Sequence, residues 1–167
     1  TDSLVPLAAA AVDAGADGVG LFRSEFLFMN RKEWPSEDEQ YEAYRKVIKA
    51  MKGKPVTVRT LDLGADKTLQ FDGANSSAPP VSSTSALGLR SIRFSLSEPA
   101  IFLTQIRALL RAAKHGPVKI LLPMLTNIRE TKQALAYIDM AREQLLERRF
   151  QANQAVPIGG MIEVPAA

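Results

Sequence analysis

The chain has no cysteine among its 167 residues, a single histidine and a single tryptophan. The missing cysteines exclude a disulfide framework and thiolate chemistry, which fits a reducing compartment. Neither sign of charge is in large excess: 21 Lys and Arg face 18 Asp and Glu, a net charge of +3. That is too little to argue for nucleic acid. The basic residues are scattered, with short pairs such as Arg148-Arg149 and no aromatics interleaved between them as on a base-stacking platform. No apolar run reaches membrane-spanning length, and Thr1-Asp2-Ser3 has no basic leader character. These absences leave a soluble, intracellular globular chain as the expectation, with no membrane insertion. What is present supports it. The 46% hydrophobic content is enough for a sizeable core, and the length suits one ordinary domain.

Four short apolar runs, at Val19–Phe22, Val56–Val58, Val118–Leu122 and Ile158–Ile162, are rich in Val, Ile and Leu and lack polar alternation. They read as strands buried on both faces, as in a parallel sheet covered by helices. Helical patterns lie between them. Ser3 can cap a first helix with Leu4, Ala8, Ala11 and Val12 on one face, stopped at Ala14-Gly15. Ser36 and Glu39 form a capping box for a second, with Tyr41, Tyr44, Val47, Ile48 and Met51 as its stripe and Lys52-Gly53 as its end. Ser97-Glu98-Pro99 opens a third, with Phe102, Ile106, Leu109, Leu110 and Ala113 inward, ending at His115-Gly116-Pro117. Asn127 and Glu130 open a fourth, with Ile128, Leu135, Ile138, Ala141 and Leu145 inward. The predicted order is α-β-α-β-α-β-α-β, which fits either a doubly wound sheet or part of a (β/α)8 barrel. Asp72 to Ser85 is rich in Ser, Ala and Pro and reads as a long exposed loop.

The chemistry-bearing residues follow the apolar runs directly. Arg23-Ser24-Glu25 follows the first, Arg59-Thr60-Leu61-Asp62 the second, and Glu163 the fourth. In parallel α/β folds the carboxyl ends of the strands share one face, and that face carries the site. Arginines there suit a ligand with planar oxygen groups, bound through paired hydrogen bonds. Glu163 is a donor suited to a hard divalent ion. The competing reading is an ordinary ion pair tying loops together. His115 sits at a helix carboxyl end beside Gly116, where a partly positive imidazole favours the helix dipole, and it reads as structural.

Taken together, three stretches carry a resemblance: Gly18-Val19-Gly20-Leu21-Phe22-Arg23-Ser24-Glu25-Phe26-Leu27-Phe28-Met29, Arg59-Thr60-Leu61-Asp62-Leu63-Gly64-Ala65-Asp66-Lys67 and Gly160-Met161-Ile162-Glu163-Val164-Pro165-Ala166-Ala167. With Leu87-Gly88-Leu89-Arg90-Ser91-Ile92-Arg93, they resemble the C-terminal domain of enzyme I of the bacterial sugar phosphotransferase system, the phosphoenolpyruvate–protein phosphotransferases. The resemblance implies a (β/α)8 barrel binding phosphoenolpyruvate (PEP) and Mg²⁺. It implies that this chain holds an incomplete barrel, about strands two to five with their helices, over residues 1–167. By motif position, Arg23, Arg59 and Arg90 correspond to substrate-binding arginines, Lys67 to a further candidate beside them, and Glu163 to a Mg²⁺ ligand.

In that family the phosphoryl group moves from PEP to a histidine on a separate N-terminal domain, then to the carrier HPr and on to a sugar. The intact proteins are cytoplasmic homodimers by the same resemblance. The family's phosphorylated histidine and its proton-donating cysteine are absent from this stretch, so the chain alone is expected to be inactive. Two alternatives remain at this point. One is a non-catalytic α/β fragment with weak anion binding or none. The other is the same domain from a multiphosphoryl transfer protein, a nitrogen-branch enzyme I or a PEP synthase or dikinase relative.

Overall fold

The computed structural model describes residues 4–29, 31, 33–62, 88–152 and 155–167. The Ser3 cap, Gly64, Lys67 and the 72–85 loop lie outside the described residues. Helix α1 spans Leu4–Asp13, α2 Glu37–Ala50, α3 Ser91–Ser97, α4 Pro99–Ala112 and α5 Ile128–Glu147. The strands are β1 Val19–Arg23, β2 Val56–Arg59, β3 Val118–Leu122 and β4 Ile158–Gly160.

Local chemistry sets the ends of these elements. The capping box of α2 is complete: the Glu39 amide donates to Ser36 Oγ at 3.2 Å, and the Ser36 amide donates to Glu39 Oε2 at 2.8 Å. The helix stops through Lys52 and Gly53, both in the left-handed region at φ 50° and 86°. Asn127 Oδ1 caps α5 by accepting from the amides of Arg129 and Glu130, at 2.9 and 3.0 Å.

The strands pair in parallel in the order β1-β2-β3-β4. The order of the described strands is sequential, without the reversal that marks the switch point of a doubly wound sheet. With right-handed crossovers throughout, sequential order puts every helix on the same side. The helix packing agrees, since α1 lies against α2, α2 against α4 and α4 against α5. The fold is an α/β arrangement consistent with an arc of a (β/α)8 barrel.

The core lies between that helix layer and one face of the sheet. Phe22, Val56, Val58, Val118, Ile120 and Leu122 meet Val47, Ile48, Phe102, Ile106, Leu109 and Ile138, all buried. Across the helix layer, Glu37 of α2 accepts from Arg107 Nε and Arg111 Nη1 of α4, each at 2.6 Å. The Arg111 guanidinium is sandwiched between the rings of Tyr41 and Phe150, 4.5 and 4.4 Å from their centroids.

Four expectations need correction. The strands are not buried on both faces: Leu21 and Lys119 are exposed and Thr57 and Leu121 half-buried, so the helices cover one face. The segment between β2 and β3 holds two helices, α3 and α4, where one was expected. In α5 the inward residues are Ala134, Ile138, Ala141 and Leu145, whereas Ile128 and Leu135 face outward. The fourth strand ends at Gly160, leaving Ile162 79% exposed.

Candidate functional site

Arg23 and Arg59 are the last residues of β1 and β2 and are register partners in the parallel ladder. Partners on neighbouring strands stand about 4.8 Å apart, so two guanidiniums leave the sheet side by side. Like charges at that spacing repel, and the chain places a carboxylate between them. Glu25, in the 3₁₀ turn Ser24–Leu27 that follows β1, accepts on Oε1 from Arg23 Nε at 3.3 Å and from Arg59 Nη2 at 2.5 Å. Asp62 continues the row from the other side. Its Oδ2 lies 3.2 Å from Arg59 Nη1, and its Oδ1 accepts from Arg90 Nη2 at 3.3 Å.

The result is an alternating row, Arg23–Glu25–Arg59–Asp62–Arg90, with one cation more than anions. Its middle is buried: the Glu25 side chain is inaccessible and those of Arg59 and Asp62 are about one-tenth exposed. Its ends open to solvent, with Arg23 at 44% and Arg90 at 27%. Several buried donors along the row are not satisfied by the described residues: Arg59 Nε, Arg90 Nε, and the hydroxyls of Thr60 and Ser91. A cationic row with spare donors suits an anion carrying several acceptor oxygens.

Ser91 begins α3 at φ 56°, a left-handed conformation unfavourable for a residue with a Cβ, directly after Arg90. Met124 is bent similarly at φ 55°, two residues beyond β3, and its amide donates to Glu163 Oε1 at 2.7 Å. Glu163 is exposed, just past the carboxyl end of β4. Among the described residues no three metal-ligating side chains cluster together. Glu163 stands outside any such cluster, a lone exposed carboxylate whose Oε1 is engaged by the Met124 amide.

The arginines do form ion pairs, and the same groups keep donors free of those pairs. The sequence singled out Arg23, Arg59, Arg90 and Glu163, and the structure joins the three arginines in one row; Lys67 lies outside the described residues. The competing ion-pair reading of Arg23-Ser24-Glu25 and Arg59-Thr60-Leu61-Asp62 is met by Glu25 and Asp62, but their joining of three arginines into one row was not legible in that spacing. Arg93, which donates to Glu130 at 3.4 Å and to Thr126 Oγ1 at 3.4 Å, was also missed. Burial raises the Glu130 carboxyl pKa, but the bonds from Thr126 and the Arg93 guanidinium outweigh it and lower the value overall.

His115 differs from expectation in its charge. Burial first, then the cations Lys49, Lys114 and Arg45, push its pKa below 6.5, so the neutral imidazole is favoured. Its Nε2 is 3.0 Å from the Tyr41 hydroxyl, a structural contact.

The model of the family described as "PEP-utilising enzyme, PEP-binding domain" matches residues 3–167. A phosphoenolpyruvate-protein phosphotransferase of Cupriavidus necator is 56% identical over 161 residues, covering 96% of this chain and 27% of that protein. Proteins of the same name from Staphylococcus epidermidis and Streptococcus equinus are 43% and 44% identical over 155 residues, covering 93% and 92% of this chain and 26% of each relative. The chain thus spans about a quarter of the length of these relatives. A match over nearly the whole chain, together with strand ends that deliver a row of guanidiniums, places it in the family of PEP-binding domains of PEP-utilising enzymes.

Proposed function

We propose that the row of Arg23, Arg59 and Arg90 binds PEP, and that the chain is the PEP-binding part of a phosphoenolpyruvate–protein phosphotransferase. The observation carrying this reading is the alternating row itself. Three guanidiniums from separate segments are held at one end of a parallel sheet, with buried donors that no described residue satisfies. PEP carries a carboxylate and a phosphate close together, so several guanidiniums are needed to offset its charge. Lys67 is a further candidate on the same ligand.

When bound, Mg²⁺ would supply additional charge neutralisation at the phosphate, held by Glu163. Phosphoryl transfer asks the protein chiefly for positioning and charge stabilisation, and the arginine row provides both. In the whole protein the phosphoryl group would pass to a histidine of another domain, then to HPr and an incoming sugar, within a cytoplasmic homodimer.

One observation favours a second reading for the chain by itself, that of a weak anion binder. Glu25 and Asp62 already occupy the guanidiniums, so an incoming anion competes with carboxylates held in place by the fold. Calorimetric titration with PEP and Mg²⁺ tests both readings. The first expects saturable heat that disappears in Arg59→Ala. Identical heats for the two proteins would remove the arginine row as the binding group. Saturation only at millimolar PEP would favour the second reading.

A further inference from the structure

The buried face of α4 is apolar through Phe102, Ile106, Leu109 and Leu110, yet Gln105 stands among them fully buried. A carboxamide in that position is costly unless its donors and acceptor are matched. Two of its three contacts lead to the strand ends, and the third to Tyr44 of α2. Gln105 Oε1 accepts from the Leu61 amide at 2.9 Å, and Nε2 donates to Ser24 Oγ at 3.0 Å and to the Tyr44 hydroxyl at 3.1 Å. Ser24 lies between Arg23 and Glu25, and Leu61 immediately precedes Asp62. The Thr60 amide still bonds to Leu121 of β3, so Leu61 is the residue at which the chain departs from the ladder and takes a side-chain acceptor instead.

We propose that Gln105 is a positioning residue for the arginine row, one carboxamide that sets the distance between the turn after β1 and the turn after β2. Those two turns carry Glu25 and Asp62, the carboxylates that aim Arg59 from either side. A hydrocarbon of equal length would fill the same volume, so packing does not account for an amide here. Its acceptor on one turn and donor on the other does. Burial holds the Tyr44 phenol well above its ordinary pKa, so it stays protonated and available as a partner. The inference rests on the proposed PEP reading for its consequence, but the geometry it asserts does not require PEP.

The test therefore has two readouts. In the 167-residue chain, Gln105→Met keeps the side-chain length while removing both hydrogen-bonding ends. The first readout is the Arg59 Nε–H resonance recorded without ligand, a group that is buried and sensitive to the placement of Glu25 and Asp62. A clear shift or broadening is expected in Gln105→Met, while Leu109→Ala, a core variant on the same helix, leaves the resonance in place. The second is calorimetry with PEP and Mg²⁺ below the melting temperature, where at least tenfold weaker binding is expected in Gln105→Met and little change in Leu109→Ala. An unmoved Arg59 resonance together with wild-type affinity overturns the proposal. Should the native chain bind no PEP, the PEP reading fails, and the resonance alone decides the positioning role. If Gln105→Met does not fold, Ser24→Ala removes one end of the span: a shifted Arg59 resonance supports the role, and an unchanged one refutes it.

Discussion

Glu25 receives a hydrogen bond from Arg59 at 2.5 Å across two neighbouring strands, and the carboxylate has no access to water. A buried pair of this kind is poor as a source of net stability but expensive to break, since removing one partner leaves the other charge uncompensated. Glu25→Ala should lower the stability of the chain by about 3 kcal/mol, within the range for broken buried pairs. Urea unfolding measures it. A midpoint equal to that of the native chain would show that Arg59 finds another partner at no cost.

Arg59 presents a planar fork, with Nη2 on Glu25, Nη1 on Asp62 and a buried Nε besides. Lysine keeps the charge but has no fork. Arg59→Lys should weaken PEP binding roughly tenfold, equivalent to about 1.4 kcal/mol, and calorimetry against Arg59→Ala separates charge from geometry. Full binding by the lysine variant would mean that charge alone suffices.

Acid should erode stability in two windows. The His115 pKa is lowered on folding, so the unfolded chain takes up its proton first; the contribution is present above pH 6.5 and lost as pH falls below it. The Glu39 carboxyl is held down to about 2 by the Ser36 amide, then by Arg31 and the Ser36 hydroxyl. Its contribution is present above pH 4.5 and lost as pH falls toward about 2. His115→Asn should flatten the first window and Glu39→Gln the second, read from melting temperatures across pH. Unchanged profiles in both variants would contradict these assignments.

Gly18 precedes β1 and leaves no room for a side chain: a Cβ there would meet the Pro55 carbonyl oxygen at 2.6 Å, a backbone atom that cannot swing aside. At Gly20 nothing lies within 4 Å. Gly18→Ala should therefore destabilise by about 1–3 kcal/mol and Gly20→Ala by much less. Comparing the thermal midpoints of the two variants checks the difference, and equal effects would deny the close approach.

Much of this was legible in the residues because its causes are local. The Ser36–Glu39 box, the Lys52-Gly53 stop and the apolar runs each carry their own signal within a few positions. Helix α3 escaped notice because Ser91-Ile92-Arg93-Phe94-Ser95-Leu96-Ser97 has no clean apolar stripe and begins from a strained serine. The roles of Glu25 and Asp62 depend on strand register, since a shift of one residue would turn Arg59 to the opposite face. The uncovered face of the sheet was misread because apolar runs signal burial without naming what covers them. Gln105 had a signal, a polar residue inside an apolar stripe, but its meaning required the two turns it joins.

The row of charges also links recognition to folding. Glu25 and Arg59 are 34 residues apart in sequence and meet only when β1 and β2 have paired. An unfolded chain therefore contains no comparable receptor, and any anion held by the row acts as a ligand of the native state alone. By mass action such a ligand adds about 2.7 kcal/mol at a hundredfold excess over its Kd. Under the proposed PEP reading, occupancy and integrity of the fold become a single observable, and a rise in melting temperature with PEP concentration would report the strength of the site without any turnover.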